Sequence, residues 1–99
     1  IFPCAWAVAA DPESRGIILG GSGQGEAMAA NRIKGVRAAV YYGSEREIAQ
    51  LSREHNNSNV LSLGARFISE QEIYDIIETW LDEPFEGGRH QRRIDKLDR

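Results

Sequence analysis

Ile17-Ile18-Leu19-Gly20-Gly21-Ser22-Gly23-Gln24-Gly25-Glu26, running on into Ala27-Met28-Ala29-Ala30-Asn31-Arg32, decides how this chain is read. A short apolar run empties into a loop of glycines, and helix-forming residues follow with a carboxylate in their first turn. Glycines let the backbone come close to a ligand, and successive N–H groups beside a helix N-terminus favour an anion. A loop built only to hold phosphate gains nothing from a carboxylate pointing into it. Glu26 therefore points to proton chemistry beside an anionic substrate, although the helix dipole also favours an acidic residue in the first turn.

Outward from this unit the same alternation continues. Pro3 suits the first turn of a helix, Cys4 to Ala10 continue it, and Asp11-Pro12-Glu13-Ser14-Arg15-Gly16 reads as a turn. Ile17 to Gly20 is a continuous apolar run, as expected of a strand covered on both faces. The spacing predicts a helix from Gln24 to Ile33, stopped near Gly35, and a strand from Val36 to Tyr42. Ser44-Glu45-Arg46-Glu47 matches a capping box for a helix reaching about His55, with Asn56-Asn57 suited to a left-handed exit. Val60-Leu61-Ser62-Leu63 is a third strand. Ser69-Glu70-Gln71-Glu72 is a second capping box, behind which Ile73, Ile76, Ile77, Trp80 and Leu81 form one apolar stripe ended by Pro84. Gly87-Gly88 then hinges a short basic helix, Arg89 to Leu97. Strands alternating with helices predict an α/β fold: a three-layer α/β/α, Rossmann-like parallel sheet with helices on both faces and a C-terminal helical arm.

Ninety-nine residues form one domain at most. The formal net charge of −3 argues against a general nucleic-acid binder, so anion recognition must come from local basic clusters. No apolar run approaches the length of a membrane span. Cys4 is the sole cysteine, which leaves neither an internal disulfide nor a cysteine-based zinc site, and the expected location is the cytoplasm. Nothing in the order of residues shows metal-ligand spacing. The opening Ile1-Phe2-Pro3 and the count of only three strands lead us to expect that an N-terminal portion is missing.

In open α/β sheets the ligand lies beyond the carboxyl ends of the strands. The Gly20–Gly25 loop lies on that edge, and so does Arg66, which follows the third strand. Ser22 and the amides of Gly21 to Gly25 could bind a phosphate or a developing enediolate oxyanion; a plain strand–helix turn is the alternative. His55-Asn56 ends a helix and precedes a strand, which puts it on the amino edge. Local grounds favour a helix-terminal His capped by Asn, against an acid–base imidazole with Asn56 on a sugar hydroxyl. Arg89 and Arg93, four apart, present two guanidiniums on one helix face, fit for a phosphate monoester or for ordinary solvation. Trp80, Tyr74 and Phe85 read as core or interface residues rather than stacking platforms.

These segments resemble the family of ribose-5-phosphate isomerase B and the galactose-6-phosphate isomerase subunits. The resemblance rests on Gly20-Gly21-Ser22-Gly23-Gln24-Gly25-Glu26 with Ala29-Ala30-Asn31-Arg32, then Arg53-Glu54-His55-Asn56-Asn57 and Asn59-Val60-Leu61-Ser62-Leu63-Gly64-Ala65-Arg66. It finishes with Phe85-Glu86-Gly87-Gly88-Arg89-His90-Gln91-Arg92-Arg93-Ile94-Asp95 and so covers nearly the whole chain. It implies a single sugar-phosphate isomerase domain over residues 1–99, without cofactor or metal. The reaction opens the sugar ring and moves a proton between C1 and C2 through a cis-enediolate. By position, Glu26 would be the base. Ser22, with Gly21, Gly23, Gln24 and Gly25, would hold the enediolate. His55 would assist ring opening, and Asn56 would contact the sugar. Arg66, Arg89 and Arg93, with His90, would grip the phosphate.

Two departures matter. Many members carry a cysteine base at the start of the glycine loop, where this chain has Gly20, so it resembles the branch whose base is a glutamate at the position of Glu26. The family's first strand, with its Asp-His pair, has no counterpart here, and about one βαβ unit is expected to be absent. The Tyr41–Glu47 connection is also slightly long for the family, which would reshape the pocket rim. A strand of five or six residues separates His55 from Glu26 by about 17–20 Å, so both acting on one sugar requires a homodimer, or a tetramer built on it, with shared sites. Ribose 5-phosphate and ribulose 5-phosphate are the expected pair, in the pentose phosphate pathway. A six-carbon sugar phosphate (galactose 6-phosphate or allose 6-phosphate) and a non-catalytic sugar-phosphate binding module are the alternatives.

Overall fold

The computed structural model describes residues 1–98. In chain order it contains α1 (Phe2–Ala10), β1 (Gly16–Gly20), α2 (Gln24–Ala30), β2 (Ala38–Tyr41), α3 (Arg46–Asn56), β3 (Val60–Gly64), α4 (Glu70–Asp82) and α5 (Arg89–Ile94). The three strands are parallel in the order β1-β3-β2, with Ile17 opposite Leu61 and Ala39 opposite the same residue on the other side. The expected α/β sandwich is present.

Alternation along β3 divides the core between two layers, because successive side chains leave opposite faces of a strand. Leu61 and Leu63 face α3 and α4, where they pack with Tyr41, Ala49, Ile68, Ile76 and Trp80. Val60 faces the other side, with Ala5 and Val8 of α1, Ile18, Ala30 and Val36. Every residue of β3 is buried, as befits the central strand. Trp80 is fully buried, and its indole N–H donates to Ser58 Oγ at 2.8 Å, so its polar atom is satisfied within the core. The core role expected of Trp80 is present; Tyr74 is exposed.

Several boundaries differ from the sequence reading. Leu19 is 57% exposed, so β1 is an edge strand covered only in part, not on both faces. The helix expected to reach Ile33 ends at Ala30, because the Asn31 side chain leaves the helix to pair with the edge of β2. Its Oδ1 accepts from Ala38 N–H at 2.6 Å and its Nδ2 donates to Ala38 O at 3.1 Å. β2 starts at Ala38 rather than Val36, since Arg37 N–H donates to the Asn59 side chain instead of a strand partner. Ser44 does not cap α3: its φ of 73° follows the left-handed Gly43, and the extended Glu45 takes the N-cap position. Ser69 does cap α4, accepting from Glu72 N–H at 3.2 Å, and Asn57 supplies the left-handed exit from α3. Leu81 is exposed because it lies about 90° round the helix from the centre of the Ile73–Trp80 stripe. The basic arm is helical only to Ile94, not Leu97. No helix among the described residues is long and apolar enough to cross a membrane.

Candidate active site

Two clusters of functional side chains form, one on each edge of the sheet. On the carboxyl edge, β1 runs into the glycine loop and the loop is locked against the end of β3. Ala65 N–H donates to Gly20 O at 2.8 Å and Arg66 N–H to Gly21 O at 3.1 Å. Ser62, buried on the central strand, donates its hydroxyl to Gly23 O at 2.7 Å. Gly23 is left-handed at φ 78°, and a Cβ there would lie 3.1 Å from the backbone of β3, so both conformation and space demand glycine. Gly64 is just as confined: a Cβ would fall 2.5 Å from Ser22 O and 2.7 Å from Tyr42 Cβ. Ser22 Oγ accepts from Gln24 N–H at 3.2 Å, while Gln24 and Gly25 stand exposed at the start of α2.

The Glu26 carboxylate folds back from α2 onto Gly20. It occupies the space that a Cβ of residue 20 would fill. Arg66 lays its guanidinium over Gly21, 3.2 Å from where a Cβ would stand. A half-buried carboxylate and an exposed cation thus flank a backbone-lined loop. Such an arrangement can take a proton from carbon while holding an oxyanion.

On the amino edge, His55 at the end of α3 stacks on His90 of α5, with ring centroids 4.5 Å apart and planes 13° apart. Glu86 Oε1 lies 3.4 Å from His90 Nε2 and 4.0 Å from His55 Nε2. The Glu86 backbone N–H donates to Glu54 O at 3.1 Å, which ties the segment after α4 to the end of α3. Arg53 adds a second clamp, donating to Glu83 O and to Asn57 Oδ1. The Glu54 carboxyl is pushed up to about 7 by a hydrogen bond with Glu83, then by burial and the nearby Glu83 and Glu86 charges. His55, Glu86 and His90 hold their ligand atoms within 4.8 Å of one another, the group among the described residues that could hold a metal ion.

The structure therefore joins Ser22, the glycine loop, Glu26 and Arg66, and separately His55 with His90. It does not bring Arg66 together with Arg89, His90 and Arg93 in one chain, because β3 lies between them. His90 is buried, stacked on His55, on the same short helix as Arg89 and Arg93. Arg89 and Arg93 are exposed on α5. Asn56 lines a hollow of about 330 Å³ with Asn31, Arg37, Ser52, Ser58 and Asp98. Two contributors escaped the sequence reading. Glu86 was visible only as a neighbour of the arginines, and Ser62, a lone hydroxyl in an apolar strand, was the signal for the loop anchor. Sequence order shows no metal-ligand spacing, and folding brings His55, Glu86 and His90 together from separate segments.

A family model described as Ribose/Galactose Isomerase matches residues 1–97. The chain belongs to the ribose/galactose isomerase family. Among family members, ribose-5-phosphate isomerase B of Mycolicibacterium paratuberculosis is 46% identical over 89 residues, covering 89% of this chain and 55% of that protein. The Escherichia coli K12 ribose-5-phosphate isomerase B is 43% identical over 93 residues, covering 94% and 61%. The crystal structure of ribose-5-phosphate isomerase B from Mycoplasma genitalium with bound ribulose-5-phosphate superimposes with a TM-score of 0.90. It is 44% identical and the match covers 97% of this chain and 62% of that one. The chain thus spans a little over half the length of the family members it matches.

Proposed function

We propose that the protein interconverts ribose 5-phosphate and ribulose 5-phosphate, working in the cytoplasm as a homodimer. The family membership supports this reading, as do the names of the relatives and the ribulose-5-phosphate bound to the Mycoplasma genitalium enzyme. The observation that carries the mechanism is the Glu26 carboxylate lying in the place of a side chain at Gly20. A base rooted in α2 thereby reaches the mouth of the glycine loop.

In this mechanism the imidazole of His55 shuttles the proton that opens the furanose ring, and Arg89 and Arg93 pair with the phosphate dianion. Glu26 takes the proton from C2 of the open aldose. The C–H electrons form the C1–C2 double bond, and the C1 carbonyl oxygen becomes an oxyanion. The loop amides and Ser22 stabilise that oxygen, with Arg66 adding positive charge. Glu26 then returns the proton to C1, while the hydroxyl proton at O2 passes to O1, leaving the ketose. Because His55 and Glu26 lie on opposite edges of the sheet, the sugar spans a site made by two chains.

Substitution Glu26→Gln in the full-length protein keeps the shape and removes the base. The expected result is a kcat about 10²–10⁴-fold lower with KM nearly unchanged, measured by formation of ribulose 5-phosphate from ribose 5-phosphate. A variant within tenfold of the parent would contradict the assignment.

A further inference from the structure

We propose that His55, Glu86 and His90 form a binding site for a zinc-class divalent transition metal, and that occupation of this site withdraws His55 from the sugar. The second half rests on the proposed role of His55 in ring opening; the first half does not.

The geometry carries the assignment. Two imidazole nitrogens and one carboxylate oxygen fall within 4.8 Å of each other, and both Nε2 atoms approach the same oxygen, at 3.4 and 4.0 Å. Bonds of about 2.0–2.1 Å in a tetrahedral site put donor atoms about 3.3 Å apart, so the His90–Glu86 separation of 3.4 Å already fits and the others, within 4.8 Å, must close around a bound ion. Two His and one carboxylate, with a fourth position left to solvent, is a donor set that suits zinc and its neighbours rather than magnesium or calcium. The ligands also differ usefully in freedom. His90 is 6% exposed and fixes one corner. His55 and Glu86 have side chains 42% and 52% exposed, so they can rotate to close the triangle and fan the two nearly parallel rings toward one ion. The three residues come from two separate segments, His55 from the end of α3 and the other two from the segment around α5. The bond between Glu86 N–H and Glu54 O holds them together before any ion arrives.

The test titrates Zn²⁺ alone into the metal-free full-length protein and into its Glu86→Gln variant, with a competing chromophoric chelator to report affinity. Co²⁺ absorption in the visible range reports the geometry. Glu86 is exposed and Gln is isosteric, so the variant should fold, and Zn²⁺ inhibition is read against each protein's own metal-free rate. The proposal expects one ion per chain, a tetrahedral Co²⁺ spectrum, and affinity on the order of 10-fold or more weaker in Glu86→Gln. Isomerase inhibition by Zn²⁺ should weaken by the same factor. No saturable binding, or equal affinity in parent and variant, would overturn the metal site. Binding that Glu86→Gln weakens, without inhibition of the parent, would keep the site and overturn the withdrawal of His55, and with it that residue's role in the reaction.

Discussion

The contact between Glu26 and Gly20 is the smallest feature with the largest consequence. A side chain at position 20 and a carboxylate from position 26 compete for one volume, so this loop accommodates only one of the two groups. Introducing Gly20→Cys alone therefore displaces the Glu26 carboxylate, and a shift of about 1 Å at a reacting centre can cost on the order of 10²-fold in rate. Gly20→Cys combined with Glu26→Ala frees that volume for a thiol. The double variant should recover activity relative to Glu26→Ala and become sensitive to thiol alkylation, with the isomerase assay before and after alkylator as the check. Full activity of Gly20→Cys alone would mean that the two groups do not share the space. The residues in this contact were legible from the sequence: Gly20 and Glu26 were picked out by the loop pattern. Their mutual exclusion was not, because it depends on how α2 folds back over the loop.

At the scale of elements, β3 is the anvil of the site. Its Ser62 hydroxyl and the absence of a side chain at Gly64 hold the glycine loop down, and its Leu61 and Leu63 anchor α3 and α4. Gly64→Ala would drive a methyl into Ser22 O and Tyr42 Cβ. The expected outcome is a loss of kcat/KM with a destabilisation of about 1–3 kcal/mol by chemical denaturation, the usual range for overpacking. The end of β2 offers a pH test. Burial, with Glu72 close by, raises the Tyr41 hydroxyl above its ordinary value, while Arg46 pulls it the other way. The folded protein then keeps a proton that the unfolded chain loses. Stability from this group is present below about pH 10, the unfolded value, and is lost as pH rises through the higher folded one. Tyr41→Phe should flatten that alkaline decline in thermal melts recorded across it, and an unchanged slope would count against the assignment. The strands and long helices followed from apolar runs and from the Ser69 cap. The Ser44 cap failed because Gly43 turns the chain left-handed first, and α2 stopped early because Asn31 bonds to a strand edge distant in the helix pattern. The first is a backbone turn at the adjacent glycine and the second a bond to a strand edge seven residues on, and neither is encoded by capping or apolar spacing.

For the whole molecule, the division of the functional groups between two edges is the fact to explain. The five residues of β3 separate the Glu26 side from the His55 side by about 17 Å, which no side-chain motion closes. The edges on which His55 and Glu26 fall were legible from the sequence. The stacking of His55 on His90 beside Glu86 was not, because it joins groups more than 30 positions apart through the path of the chain after α4. The account holds that one sugar meets Glu26 of one copy and His55 of another. The most direct measurement mixes full-length Glu26→Gln and His55→Ala chains, each inactive alone, after reversible dissociation. Random pairing makes half the dimers mixed, and in a two-fold dimer each mixed pair has one undamaged site of two, so activity should return to about a quarter of the parent. No recovery in mixed dimers, confirmed to have formed by mass spectrometry, would mean that both residues serve the same chain's sugar or that one serves none.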